Sequence, residues 1–72
     1  MSHIRPATYE VRIRGRLGPG VREAFEAYEV VDVPTETLVR GAVLDQAGLH
    51  GMLERLRAYG CELVEVRRVN EP

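Results

Sequence analysis

The sequence predicts an α+β fold in the order strand, helix, strand, strand, helix, strand. Three observations carry that expectation. Apolar and charged residues alternate strictly from Tyr9, two apolar stripes recur at helical spacing, and turn-forming residues separate the runs. A chain of 72 residues has room for one domain and little besides.

Residues 1–7 are polar, contain Pro6 and show no period, so they predict a flexible lead-in; the domain is expected over 8–69, with 70–72 frayed. In the first strand Tyr9, Val11 and Ile13 share one face, and Glu10, Arg12, Arg14 and Arg16 the other. Gly15 predicts a bulge or a close backbone approach. Gly18-Pro19-Gly20 ends the strand, and Val21, Ala24, Phe25 and Tyr28 follow at i, i+3, i+4, i+7, the spacing of a two-turn amphipathic helix.

Val30–Val33 is a short strand stopped by Pro34; Thr35-Glu36 is the expected turn into the third strand, 37–44. Asp45 is placed as the N-cap of a second helix whose stripe is Leu49, Met52, Leu53 and Leu56, and Gly60 as its left-handed C-terminal stop. Gly48 and Gly51 weaken that helix, which predicts that they serve close packing on the sheet. Residues 61–69 form the last strand, with Val64 and Val66 inward.

Helices after strands one and three, joined by right-handed crossovers, both lie on one face of a four-stranded antiparallel sheet in the order 4-1-3-2. This is the ferredoxin-like βαββαβ sandwich. Its other face has no helix to cover it. Alternation assigns to that face Glu10, Arg12, Arg14 and Arg16, then Leu38, Arg40 and Ala42, then Leu63, Glu65 and Arg67, with Val30 and Asp32 from the second strand. Apolar groups among charges of both signs predict pairing with a second copy, with Arg12, Arg14, Leu38, Arg40, Leu63 and Arg67 as interface residues. The contact is expected at this open face or at an edge strand.

Composition narrows the function classes. Ten arginines and no lysine face eleven acids, for a net charge of -1. That balance argues against bulk attraction to nucleic acid or an anionic membrane, and the all-arginine usage resembles high-GC bacterial coding. An RNA-binding sheet of this topology stacks bases on aromatics of its central strands; the third strand has none, and Tyr9 alternates onto the helix side. Cys61 is the single cysteine, which excludes an intrachain disulfide. The chain shows no apolar run of membrane-spanning length and no apolar leader in its first residues, so a cytoplasmic setting is expected. His3, His50 and Cys61 lack metal-ligand spacing, and the one serine, Ser2, falls in the lead-in. No catalytic residue, metal or cofactor is therefore expected.

The first strand-to-helix turn carries two resemblances. The run Arg14-Gly15-Arg16-Leu17-Gly18-Pro19-Gly20-Val21 resembles the acylphosphatase loop, which holds a phosphate in backbone amides and an arginine, here Arg16 or Arg22; where that family has an asparagine on its third strand, this chain has Gly41. Over the whole length, the element order and Pro19-Gly20 followed by Val21 are similar to ACT-type regulatory domains. That likeness implies a small effector, such as an amino acid, bound at the turn against a neighbouring subunit. Finally, Val39-Arg40-Gly41-Ala42-Val43, Asp45-Gln46-Ala47-Gly48-Leu49-His50-Gly51 and Glu62-Leu63-Val64-Glu65-Val66-Arg67-Arg68 resemble small uncharacterised proteins of high-GC bacteria, over residues 9–68. This last resemblance implies no activity.

The expectation is a small dimerising interaction or small-ligand-binding module, ACT-like in kind. The candidate anion or effector site is Arg14, Arg16, Gly18, Gly20 and Arg40, because guanidinium groups and glycine amides match carboxylate or phosphate. An acylphosphatase-like enzyme or a dimeric α+β-barrel catalyst is the alternative.

Overall fold

In the computed structural model, which describes residues 7–69, the elements run β1 (Ala7–Arg14), α1 (Pro19–Ala24), β2 (Glu29–Val33), β3 (Glu36–Val43), α2 (Gln46–Ala58) and β4 (Leu63–Val69). Of the flexible lead-in expected over 1–7, only Ala7 is described, and it opens β1; the rest, with Ser2 and His3, and the frayed end expected at 70–72 lie outside the described residues. The sheet order is β2-β3-β1-β4, and all three pairings are antiparallel. It is the predicted 4-1-3-2 order read from the other side.

Val11, Ile13, Val39 and Val43 point from the central strands into a core that Phe25 closes from the α1 side and Met52 and Leu56 from α2. Both helices thus pack on one face, as the crossovers require. Phe25 is fully buried, with the Tyr28 ring centroid at 5.5 Å, the Tyr59 ring edge-on at 6.3 Å and the Arg55 guanidinium carbon 4.5 Å from its own centroid. Arg55 also donates to the Ala24 carbonyl at 2.8 Å, so one side chain of α2 holds both the end of α1 and the ring beside it.

The first helix is shorter than its stripe predicts. It ends at Ala24; the Phe25 N–H already bonds the Arg22 carbonyl, and the Tyr28 N–H the Phe25 carbonyl at 2.9 Å, a tightening turn. That turn lays Tyr28 against Gly41 of β3, where a Cβ would fall inside the ring. Gly41→Ala is expected to cost about 1–3 kcal/mol through this overlap, read as a lower urea midpoint. In a Tyr28→Ala background the penalty should vanish; persistence there means that the ring is not what excludes the methyl group.

Helix α2 is capped at both ends as its residues predict. The Asp45 carboxylate accepts from the Gly48 N–H at 2.8 Å. At the other end Gly60 takes φ +81°, its N–H bonds the Arg57 carbonyl and the Cys61 N–H the Leu56 carbonyl, which is the Schellman pattern. A Cβ at Gly48 would meet the Val43 side chain at 3.5 Å, but one at Gly51 would face open space, so the expected packing role fails at Gly51.

Two sequence expectations about faces are corrected. The β2–β3 turn is Pro34-Thr35, which sets Val33 opposite Glu36, Asp32 opposite Thr37 and Val30 opposite Val39. Val30 and Asp32 therefore lie on the helix side, and Glu29 and Val31 on the open side, because turn length decides strand parity. A bulge pairs Arg12 with Glu65 but Ile13 with Leu63; the extra residue turns Leu63 toward the core and leaves Val64 exposed. Gly15 makes the close backbone approach rather than a bulge, its N–H donating to the Thr35 carbonyl at 2.8 Å. It takes φ +80° just after β1 ends, a conformation that glycine adopts at little cost.

Candidate functional site

The open face is a charged lattice, and its rows follow from the register. One row crosses all four strands as Glu29, Arg40, Glu10 and Arg67, with charges alternating in sign. Arg40 Nε donates to Glu10 Oε2 at 2.6 Å and Arg40 Nη1 to Glu29 at 3.2 Å, while Arg67 reaches Glu10 Oε1 at 3.3 Å. Glu10 is only 3% exposed although no helix lies above it. Its hydrogen bond from Arg40 holds the carboxyl below its ordinary pKa, against the opposing effect of burial and with the charges of Arg40, Arg67 and Arg12 assisting.

The next row is Val31, Leu38, Arg12 and Glu65. Leu38 is buried, and Arg12 bridges Glu36 at 3.2 Å. The Arg12 Nε is buried without a hydrogen bond, its nearest carboxylate being Glu65 at 3.8 Å. Glu65 is thus the acid of this face held most loosely. The predicted interface residues divide accordingly: Arg12, Arg14, Leu38, Arg40 and Arg67 share the open face, and Leu63 belongs to the core side.

The residues predicted for an anion site do not converge as a group. Arg14, Arg16 and Gly18 line a cleft of about 300 Å³ between the β1–α1 loop and the α2–β4 turn, together with Tyr59, Cys61 and Glu62. Gly20 and Arg40 lie outside its lining. Within it Arg14 is paired with Glu62 at 3.0 Å, and Arg16 Nη1 donates to the Val33 and Glu36 carbonyls at 2.6 and 2.7 Å. Burial pushes the Cys61 thiol pKa up, which keeps it protonated and a poor nucleophile. The other arginine of the acylphosphatase-like reading, Arg22, donates to Asp32 at 2.6 Å, and that bond holds the Asp32 carboxyl below its ordinary pKa. Among the described residues no three His, Cys, Asp or Glu side chains cluster to hold a metal, and no helix is long and apolar enough to cross a membrane.

Alternation alone did not single out the outer edge of β4. Positions 64–68 are all exposed, Val64 by 43% and Val66 by 38%, and no strand pairs with that edge among the described residues. The opposite edge, β2, is five residues long, keeps Val30 against the core and stops at Pro34. The charges of Glu65, Arg67 and Arg68 and the bulge at Val64 guard this edge in part, but a seven-residue edge with two exposed valines and no proline can still take on another strand. The sequence signal was present in the valines at 64 and 66, but alternation turned both inward; the bulge exposes Val64, and Val66, on the helix side opposite Val11, is left only partly covered.

The chain belongs to a domain family of unknown function, DUF8691, whose family model matches residues 8–67. No curated protein and no solved structure matches it.

Proposed function

We propose that this DUF8691 domain is an interaction module that assembles with a second copy of itself through the edge of β4. The observation that carries the reading is the run of exposed residues 64–68, with two valines, on an unpaired edge of a small domain. Strand addition satisfies the free N–H and C=O groups of such an edge and covers its apolar side chains. The open face supplies a contrast: its arginines already have acids, and of its apolar groups Leu38 is already buried and Val31 half-buried. It therefore gains less from being covered than the edge does.

Light scattering on the purified domain, from micromolar to millimolar concentration, is the test. A dimer is expected, and Val66→Lys, which places an edge-guarding charge where a valine is now half exposed, should weaken it by about tenfold or more. A lone subunit throughout that range overturns the proposal. A small-ligand role rests on a different observation, the cleft beside Cys61, in which an incoming carboxylate must take Arg14 from Glu62.

A further inference from the structure

We infer that β4 pairs with β4 of a second copy in one register, antiparallel about a two-fold axis at Val66, so that the alternating charges of the open face run unbroken into the partner. The inference rests on the reading of β4 as a self-contact and adds what sets its geometry.

Residues paired across an antiparallel ladder point to the same face, so a symmetric β4 pair must be centred on a residue, and only a few centres keep the strand overlapped. Glu65 and Arg67 lie on the open face, as the partners of Arg12 and Glu10 in β1; Val66, opposite Val11, lies on the helix side. A centre at Glu65 sets that carboxylate against its own copy. A centre at Arg67 does the same with two guanidinium groups, and one at Arg68 likewise. Like charges directly opposite are destabilising. A centre at Val66 places Val66 against Val66 on the helix side and Glu65 against Arg67 of the other copy, twice.

The rows of the sheet make this more than one pair. Glu29, Arg40, Glu10 and Arg67 form one row of each copy, and Glu65 and Arg12 belong to the next. Joined at Val66, they read Glu29, Arg40, Glu10, Arg67, then Glu65 and Arg12 of the partner: six charges, each flanked only by the opposite sign. The groups at the seam are those with capacity to spare. Glu65 is 55% exposed with its nearest guanidinium nitrogen at 3.8 Å, and Arg67 is 58% exposed behind a 3.3 Å contact. The β2 edge has no such code, since a symmetric pair centred on Val31 sets Glu29 against Val33.

Two self-repelling variants test the register. Glu65→Arg alone turns both seam pairs into Arg against Arg, and Arg67→Glu alone turns both into Glu against Glu, so each should weaken self-association by about tenfold or more. Mixed in equal amounts, they restore two opposite-charge pairs and should form a heterodimer, read as the dimer mass that neither shows alone. Circular dichroism of each variant verifies its fold. Because Glu65→Arg faces Arg12 and Arg67→Glu faces Glu10 within the chain, a covalent measurement stands beside them. Val66→Cys in a Cys61→Ser chain should give a disulfide dimer on oxidation with diamide, and Arg68→Cys in the same chain should not. A wild-type dimer that ignores both charge changes, or that fails to link through position 66, overturns this register and leaves the homodimer standing. A lone wild-type subunit removes both.

Discussion

Phe25→Ala should leave the domain unfolded or barely folded at room temperature. The ring is fully buried, and aromatic truncations at such sites cost about 3–5 kcal/mol. At about 0.05–0.15 kcal/mol per residue, a domain of this size holds only about 4–11 kcal/mol in total. The loss exceeds a simple cavity because Phe25 is the meeting point of Tyr28, Tyr59 and Arg55. Without the ring, Arg55 keeps its bond to the Ala24 carbonyl but loses the face it lies against. Urea unfolding followed by circular dichroism measures the effect. Phe25→Leu, which retains most of the volume, should cost about 1–1.5 kcal/mol; equal losses from both variants mean that the aromatic contacts contribute nothing beyond volume.

Glu10→Ala is expected to have the next largest effect, about 2–3 kcal/mol. The carboxylate is almost fully buried and takes bonds from two arginines. Removing it leaves Arg40 and Arg67 facing each other across β1. The cost stays below that of a fully buried ion pair because both guanidinium groups are more than a third exposed and Arg40 retains Glu29, so solvent screens part of the repulsion.

The same residue fixes the response to acid. Its pKa in the folded state is lowered from the ordinary 4.5, mainly by the Arg40 hydrogen bond. A lowered pKa means that the folded state binds the proton less readily than the unfolded state. The stabilisation is therefore complete above about pH 4.5 and is lost as pH falls through the lower folded value. Glu10→Gln, which cannot titrate, should unfold with a flatter dependence on pH below 4.5 than the parent. Identical acid slopes would place the titration elsewhere, with Asp32, lowered by Arg22, the next group to replace.

The sheet order and the capping of α2 were legible because each rests on local signals: Tyr9, Val11 and Ile13 alternate with charges, Asp45 stands three residues before Gly48, and Gly60 stops the helix before an apolar residue. The faces of β2 were not. Glu29-Val30-Val31-Asp32-Val33 has valine at both parities, so hydropathy favours neither, and the decision passes to the Pro34-Thr35 turn. Leu63-Val64 is ambiguous for the same reason, and there the bulge decides.

Charge partners were legible only as a set. Alternation places Glu10, Arg12, Arg14 and Arg40 on one face, but which arginine meets which acid depends on register between strands, across separations of 11 to 57 residues. Register also separates the arginines expected to hold a ligand: Arg40 belongs to the Glu10 row, and Arg16 reaches the β2–β3 turn. Nothing in the composition of Arg16 or its neighbours signals that two carbonyl oxygens take its Nη1.

The turn held by Arg16 is a small mechanical device. Besides the two bonds from that side chain, the Gly15 N–H donates to the Thr35 carbonyl at 2.8 Å and Thr37 Oγ1 to the Gly15 carbonyl at 2.7 Å, while Thr35 holds φ +65°, unusual for a β-branched residue. Four tethers fasten the glycine-rich strand exit to a hairpin tip some twenty residues further along the chain. The stretch that looks slackest by composition is taut in its first half. Because Arg16 also lines the cleft beside Cys61, the hairpin tip and the mouth of that cleft share one side chain.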